Sequence, residues 1–293
     1  MGIRLRMTAV VFLLLGLCFS CNRTDTQQKI AGCDRIVSLA PSITETLFEL
    51  GLGPHLVGVT RYCSWPPEAT QIAKIGGWYD PSLEAILGLR PDTVFHLPEQ
   101  KDIAEKLHAA GIITVALPAQ KLDDVAATAR LIGGQCGAAK EADAFVARID
   151  AALTQVAEKS AGKERPKVLV AVGRDRDATG IKGLFVAGQG SFHDDLITRA
   201  GGVNACTVKI PYPRISAEGL LAMNPDIIIE FISADEAKND PTIDDWKTFD
   251  SLPAVKNGRV HLVAGDRSFI PGPRVPLLLE ELTRLLFPDT VKP

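Results

Sequence analysis

The side chains able to contact a ligand or do chemistry are few in this sequence, and they cluster. Tyr62, Trp65, Trp78 and Tyr79 fall within residues 62–79, and Tyr212 sits in a second proline-rich stretch, Ile210-Pro211-Tyr212-Pro213-Arg214. Of the 3 Trp and 3 Tyr in the chain, only Trp246 lies elsewhere. Aromatic rings carried on loops such as Tyr62-Cys63-Ser64-Trp65-Pro66-Pro67 and Gly76-Gly77-Trp78 suit the walls of a ligand cleft, with packing within the loops as the plainer alternative.

Catalytic signatures are missing. There is no GxSxG elbow, no Walker loop and no HExxH. His55, His96, His108, His193 and His261 are scattered, without a pair at metal-ligand spacing. Gly188-Gln189-Gly190-Ser191 ahead of a predicted helix is a candidate anion site that lacks the third glycine of a dinucleotide fingerprint. Asp194 and Asp195 beside His193 read as a solvated helix face. These observations favour binding over catalysis, with no metal and no catalytic cofactor.

An internal echo supplies a second pair of candidates. Ser82-Leu83-Glu84-Ala85-Ile86-Leu87-Gly88-Leu89-Arg90-Pro91-Asp92 aligns without gaps to Ser216-Ala217-Glu218-Gly219-Leu220-Leu221-Ala222-Met223-Asn224-Pro225-Asp226, an offset of 134 residues. Each unit has a Ser helix cap, a Glu in the first turn and a Pro-Asp step into a strand, chemistry that any helix start can use. Its recurrence implies two related halves. An aromatic residue stands four positions before each Ser, Trp78 in one unit and Tyr212 in the other.

The elements that must position these residues alternate between strand and helix. Arg35–Ala40 reads as a buried strand, and Ser42-Ile43-Thr44-Glu45 as a capping box opening a helix. Strands follow at 56–59, 93–96 and 112–116, with helices near 99–110 and from 123 to about 132. Residues 138–163 then keep one apolar face through Ala142, Phe145, Val146, Ile149, Leu153 and Val156, long enough to cross between lobes. A second α/β series begins at Lys167. The expected fold is α/β: two lobes, at 33–137 and 166–293, each with a central, mainly parallel sheet, joined by a backbone helix over 138–165. A length of 293 residues and 46% hydrophobic content suit two such lobes, and a net charge of −3 argues against a nucleic-acid partner.

The first twenty residues read as an export signal. Arg4 and Arg6 precede an apolar run, Met7–Leu17, too short to span a bilayer. Ser20-Cys21 after it has the look of a lipoprotein processing site, making Cys21 the lipidated first residue and 21–32 a polar tether. Without residues 1–20 the formal charge moves from −3 to −5. Of the remaining Cys33, Cys63, Cys136 and Cys206, none forms a CxxC pair; disulfides and isolated buried thiols are both open.

Taken together, Arg35–Glu45, the Tyr62–Pro67 loop, Gly76-Gly77-Trp78 with Ser82-Leu83-Glu84, the long middle helix and Ile210–Ser216 resemble the helical-backbone substrate-binding proteins of ABC importers for cobalamin, ferric siderophores and haem. The likeness spans the mature chain and is nearest to the cobalamin-binding members. It implies a class III periplasmic binding protein fold with Rossmann-like lobes. It also implies a monomer, lipid-anchored at the periplasmic or outer cell surface, that delivers cobalamin to a permease dimer with its ATPase subunits. Carried over, the resemblance places Tyr62, Trp65 and Trp78 on the ligand from the first lobe, and Phe185, Tyr212, Asp266 and Arg267 from the second. Glu84 and Glu218 match the two carboxylates that dock on the permease. The chain departs from the cobalamin pattern at Ile270, where that family member has Arg, and at Arg267, where it has Trp. Arg61, Arg214, Arg267 and Arg274 could instead serve a ferric siderophore, and Tyr62 or His96 a haem iron. An exported cofactor-processing enzyme is the alternative from another class.

Overall fold

A computed structural model describes residues 33–177, 180–238 and 243–288. The segments expected to form an export signal and a polar tether, with Cys21, lie outside the described residues.

The first lobe runs β1 (Ile36–Ser38), α1 (Pro41–Glu49), β2 (Leu56–Val59), α2 (Leu83–Gly88), β3 (Thr93–His96), α3 (Lys101–Ala109), β4 (Ile113–Ala116) and α4 (Asp123–Cys136). Its sheet has the order β2-β1-β3-β4 and is parallel throughout. Then comes α5 (Ala139–Ser160), whose 22 residues extend about 33 Å. The second lobe comprises β5 (Lys167–Asp177), β6 (Gly180–Val186), α6 (Phe192–Arg199), β7 (Val203–Asn204), β8 (Arg214–Ser216), α7 (Ala217–Met223), β9 (Ile227–Ile232), α8 (Ala234–Lys238), α9 (Pro253–Lys256), β10 (Val260–Ala264) and α10 (Val275–Leu286).

The second sheet is mixed, which the sequence did not lead us to expect. β10, β9 and β5 run parallel, with β7 beside the start of β5, but β6 and β8 are antiparallel. The link between β5 and β6 is too short for a helical crossover, so the chain can only turn back as a hairpin.

Strands β1, β3 and β9 are buried along their whole length, as parallel strands covered on both faces must be. One apolar cluster runs from Ile43 and Leu47 on α1, through Ile132 on α4 and Phe145 and Ile149 on α5, to Val168 on β5 and Leu279 on α10. The two lobes therefore share a core through the connecting helix. Smaller clusters cover the outer sheet faces, around Val37, Ile86 and Leu107 in one lobe and Leu169, Leu184 and Trp246 in the other. Trp246 is a core residue, and its indole N–H donates to the buried Glu230 carboxylate at 2.8 Å.

Two expectations about α1 and α4 are corrected. Ser42 caps nothing: Ala40 is the extended residue before the helix and Pro41 opens it, leaving Ser42, Thr44 and Glu45 buried inside. Helix α4 continues through Gly133-Gly134 to Cys136, and the glycine at 133 makes room for α5: a Cβ there would meet Ala142 Cβ at 2.7 Å.

Cys33 and Cys136 form a disulfide, and Cys63 and Cys206 are buried thiols. The echo holds atom by atom. Ser82 Oγ accepts from Ala85 N (3.2 Å) and Ser216 Oγ from Gly219 N (3.3 Å). Arg90 and Asn224 share a left-handed backbone, φ 46° and 47°. Asp92 takes the backbone N–H of Arg35 (3.0 Å) and Asp226 that of Lys167 (2.8 Å), each fastening the start of its lobe's first strand.

Candidate functional site

Between the lobes lies a cavity of about 620 Å³. The first lobe reaches it from the carboxyl ends of its parallel strands: Ala40-Pro41-Ser42 follows β1 and Leu97 follows β3, the usual position for ligands in such sheets. Tyr62, Trp78 and Tyr79 complete that wall, and Tyr212, Phe192, Phe269 and Ile270 form the facing one. No Asp, Glu, Lys, Arg or His occurs in the lining among the described residues. A second cavity of about 660 Å³ lies at the far end of the second lobe. Its Asp226 and Arg259 are committed to backbone groups, the latter to the carbonyls of Leu285 and Leu286.

Trp78 is placed by Gln100, which sequence reasoning did not single out. The buried Gln100 amide donates to the carbonyls of Leu39 (3.0 Å) and Trp78 (2.9 Å) while accepting from Leu97 N (2.9 Å), tying the ends of β1 and β3 to the aromatic loop. Gly76, at φ +105°, has no room for a Cβ beside Asp80 O, so the turn before Trp78 requires glycine. The Trp78 ring lines the cavity, but its indole Nε1 is buried and has no hydrogen-bond partner among the described residues.

Tyr212 is held through His193. Its Oη lies 3.1 Å from His193 Nδ1, and His193 Nε2 lies 2.7 Å from Ser268 O. Burial pushes His193 down to about 4 and Tyr212 up to about 12. The solvated face expected at 193–195 is therefore structural. Asp194 accepts from Gly190 N (2.9 Å) and from the Asn204 amide, and Asp195 accepts from Leu122 N across the lobes (3.2 Å). With Asp194 on Gly190 N and Ser191 Oγ capping Asp194 N, the candidate anion loop is already filled from within.

The four arginines weighed for an anionic ligand are all paired within the protein: Arg61 with Asp80 (2.7 Å), Arg214 with Asp175 (2.7 Å), Arg267 with Glu281 (2.6 Å) and Arg274 with Glu45 (2.6 Å). His96 is buried, with Nδ1 at 2.8 Å from Leu97 O. Trp65 lies outside the cavity lining, under the Arg274 guanidinium at 5.4 Å. Asp266 faces Ser64 Oγ across the lobes at 3.4 Å. Phe185 is exposed on β6, and neither it nor Arg267 lines the cavity. Glu84 and Glu218 are both exposed in the first turns of α2 and α7, and the Ser216 hydroxyl holds the Glu218 carboxyl below its ordinary range. Among the described residues no group of His, Cys, Asp or Glu forms a metal site.

Two α/β lobes on one helix, with an aromatic, uncharged cleft between them, define a bilobal binding protein of class III. The chain belongs to the periplasmic binding protein family, whose sequence model matches residues 36–265. Members of this family are transport components, not enzymes. An ABC transporter substrate-binding lipoprotein, YvrC of Bacillus subtilis, is 30% identical over 88% of this chain and 81% of its own length. A vitamin B12-binding protein of Salmonella choleraesuis is 28% identical over 67% of this chain and 71% of its own. Among solved structures, the periplasmic heme-binding protein RhuT from Roseiflexus superposes with a TM-score of 0.75 at 25% identity, covering 89% of this chain and all of that one (100%).

Proposed function

We propose that this chain is the substrate-binding component of an ABC importer and that it carries cobalamin in the cleft between its lobes. The observation that carries this reading is the uncharged aromatic lining, with Arg61, Arg214, Arg267 and Arg274 all neutralised by carboxylates of the protein itself. Haem brings two propionates and catecholate siderophores bring a net negative charge; burying either against such walls leaves charge unpaired, at a cost of several kcal/mol per ion. Cobalamin presents carboxamides and a flat macrocycle edge, which Tyr and Trp meet with apolar area and single polar groups. Relatives named for vitamin B12 point the same way. Of the contacts implied by the resemblance, we retain Tyr62, Trp78 and Tyr212, which line the cavity; Trp65 and Asp266 lie outside its lining, on Arg274 and Ser64 respectively, and nothing in the geometry favours Phe185 or Arg267. The second reading is haem, favoured by three phenols on the walls, Tyr62, Tyr79 and Tyr212.

Calorimetric titration against cyanocobalamin, haem and ferric siderophores tests the reading. Heat is expected with cyanocobalamin at micromolar concentrations. Heat with haem alone would move the assignment to the second reading.

The matched Glu84 and Glu218 are proposed to dock on the two halves of a permease, since two equivalent acids suit a partner with two equivalent halves. The double variant Glu84→Ala/Glu218→Ala should bind ligand with wild-type affinity and support no uptake. Normal transport by that variant would remove the docking role. Location outside the cytoplasm agrees with the Cys33–Cys136 disulfide, a bond that oxidising compartments preserve. Anchoring through Cys21 is part of the same proposal.

A further inference from the structure

His193 takes no part in the cavity lining, yet it decides what Tyr212 can offer there. The imidazole is 3% exposed and enclosed by the rings of Phe192, Tyr212, Phe231 and Phe269, with centroids 5.1–6.5 Å away. Each ring nitrogen has one partner. A carbonyl oxygen can only accept, so the 2.7 Å contact with Ser268 O places the proton on Nε2. In the neutral ring Nδ1 is then bare and can only accept, so the 3.1 Å contact is Tyr212 O–H donating to His193. The phenol has no second proton.

We propose that His193 is a positioning residue that makes Tyr212 a pure acceptor toward the cleft, selecting N–H groups on the edge of a ligand and rejecting carboxylates. A carboxylate arriving at Tyr212 meets lone pairs, and no cation in the lining, among the described residues, answers its charge. A primary amide fits better, since its N–H₂ can donate to Tyr212 and it brings no charge that the lining would have to neutralise. A site built around one hydrogen-bonding sense discriminates strongly, because the wrong partner leaves buried polar groups unpaired. This specificity claim rests on the reading of the cleft as a site for a neutral, amide-edged ligand; the tautomer does not.

The experiment has two arms. In protein carrying ¹⁵N-histidine, the His193 signals, assigned by their loss in His193→Gln, should show a protonated Nε2 and a bare Nδ1 at neutral pH. The opposite tautomer, or an imidazolium, overturns the proposal without any ligand present. In the second arm, wild type should bind cyanocobalamin about tenfold or more tightly than those monocarboxylate derivatives whose hydrolysed amide reaches Tyr212. Tyr212→Phe keeps the ring and removes the acceptor, and His193→Leu frees the phenol proton; each should shrink that preference toward one. If wild type binds cyanocobalamin and both variants keep the preference, the proposal fails while the cobalamin reading stands. If wild type binds no corrinoid, the cobalamin reading fails and takes the specificity claim with it.

Discussion

Replacing Arg274 with methionine should destabilise the protein by about 3–5 kcal/mol at neutral pH, and the deficit should shrink as the solution is acidified. Glu45 sits inside α1 at 4% exposure, and the Arg274 fork meets both its oxygens, at 2.6 and 2.9 Å. The pair joins the first lobe to the turn that opens α10 in the second, and the same guanidinium lies over Trp65. Burial raises the Glu45 carboxyl above its ordinary range even with Arg274 beside it, and removing the arginine raises it further. A carboxyl raised in the folded state binds protons there that the unfolded chain does not, so stability falls as pH rises between the unfolded and folded values. The penalty is therefore complete above the folded value and relieved as the pH drops toward the ordinary carboxyl range. Urea unfolding of Arg274→Met at two pH values reads this directly. The companion Glu45→Gln/Arg274→Met should recover most of the loss, because no charge is then left unpaired. A deficit under about 1 kcal/mol at neutral pH would mean that water already solvates the pair, as at exposed bridges.

This pair also marks where sequence reasoning stops. Glu45 and Arg274 are 229 positions apart, and the local spacing of Ser42 and Glu45 matches a helix cap that the backbone does not use. Local chemistry was readable wherever neighbours in sequence settle the outcome. The strands at 56–59 and 93–96 and the apolar stripe of α5 follow from periodicity, and the Ser82 and Ser216 caps from helix ends that need an acceptor. The repeat was visible because it is written twice; the matching φ angles of Arg90 and Asn224 are the backbone form of the same text. Trp78 and Tyr212 were legible as wall residues for that reason. His193 was not, since its role depends on Ser268, 75 residues onward, and a histidine between a phenylalanine and two aspartates looks like any helix surface. Gln100 is similar, a lone polar residue whose partners Leu39 and Trp78 meet only in the folded sheet. The mixed second sheet was missed because strand direction is set by the length of a connection, and alternation of apolar residues carries no sign of it.

Breaking the Cys33–Cys136 disulfide is expected to produce the other large loss, about 4–5 kcal/mol in the chain-entropy limit for a loop of this size. The bond spans 103 positions and closes the whole first lobe into a ring, from the residues ahead of β1 to the end of α4, just before the connecting helix. Cutting it frees the unfolded chain far more than the folded one, because β1 stays clamped between β2 and β3 and α4 stays packed on α5. For a chain of this size that loss lowers the melting midpoint by roughly 10 °C. The measurement compares oxidised protein, protein with the bond reduced, and Cys33→Ala/Cys136→Ala by thermal unfolding. Cys63 and Cys206 do not confuse the comparison: both are buried, and burial pushes each thiol up, away from the reactive thiolate. The reduced protein and the double alanine variant should melt together, below the oxidised form, while ligand affinity at room temperature is kept because no cavity residue is touched. Equal midpoints for all three would show that the unfolded first lobe is already as compact as the ring makes it, and that the bond guards the fold through its unfolding rate instead.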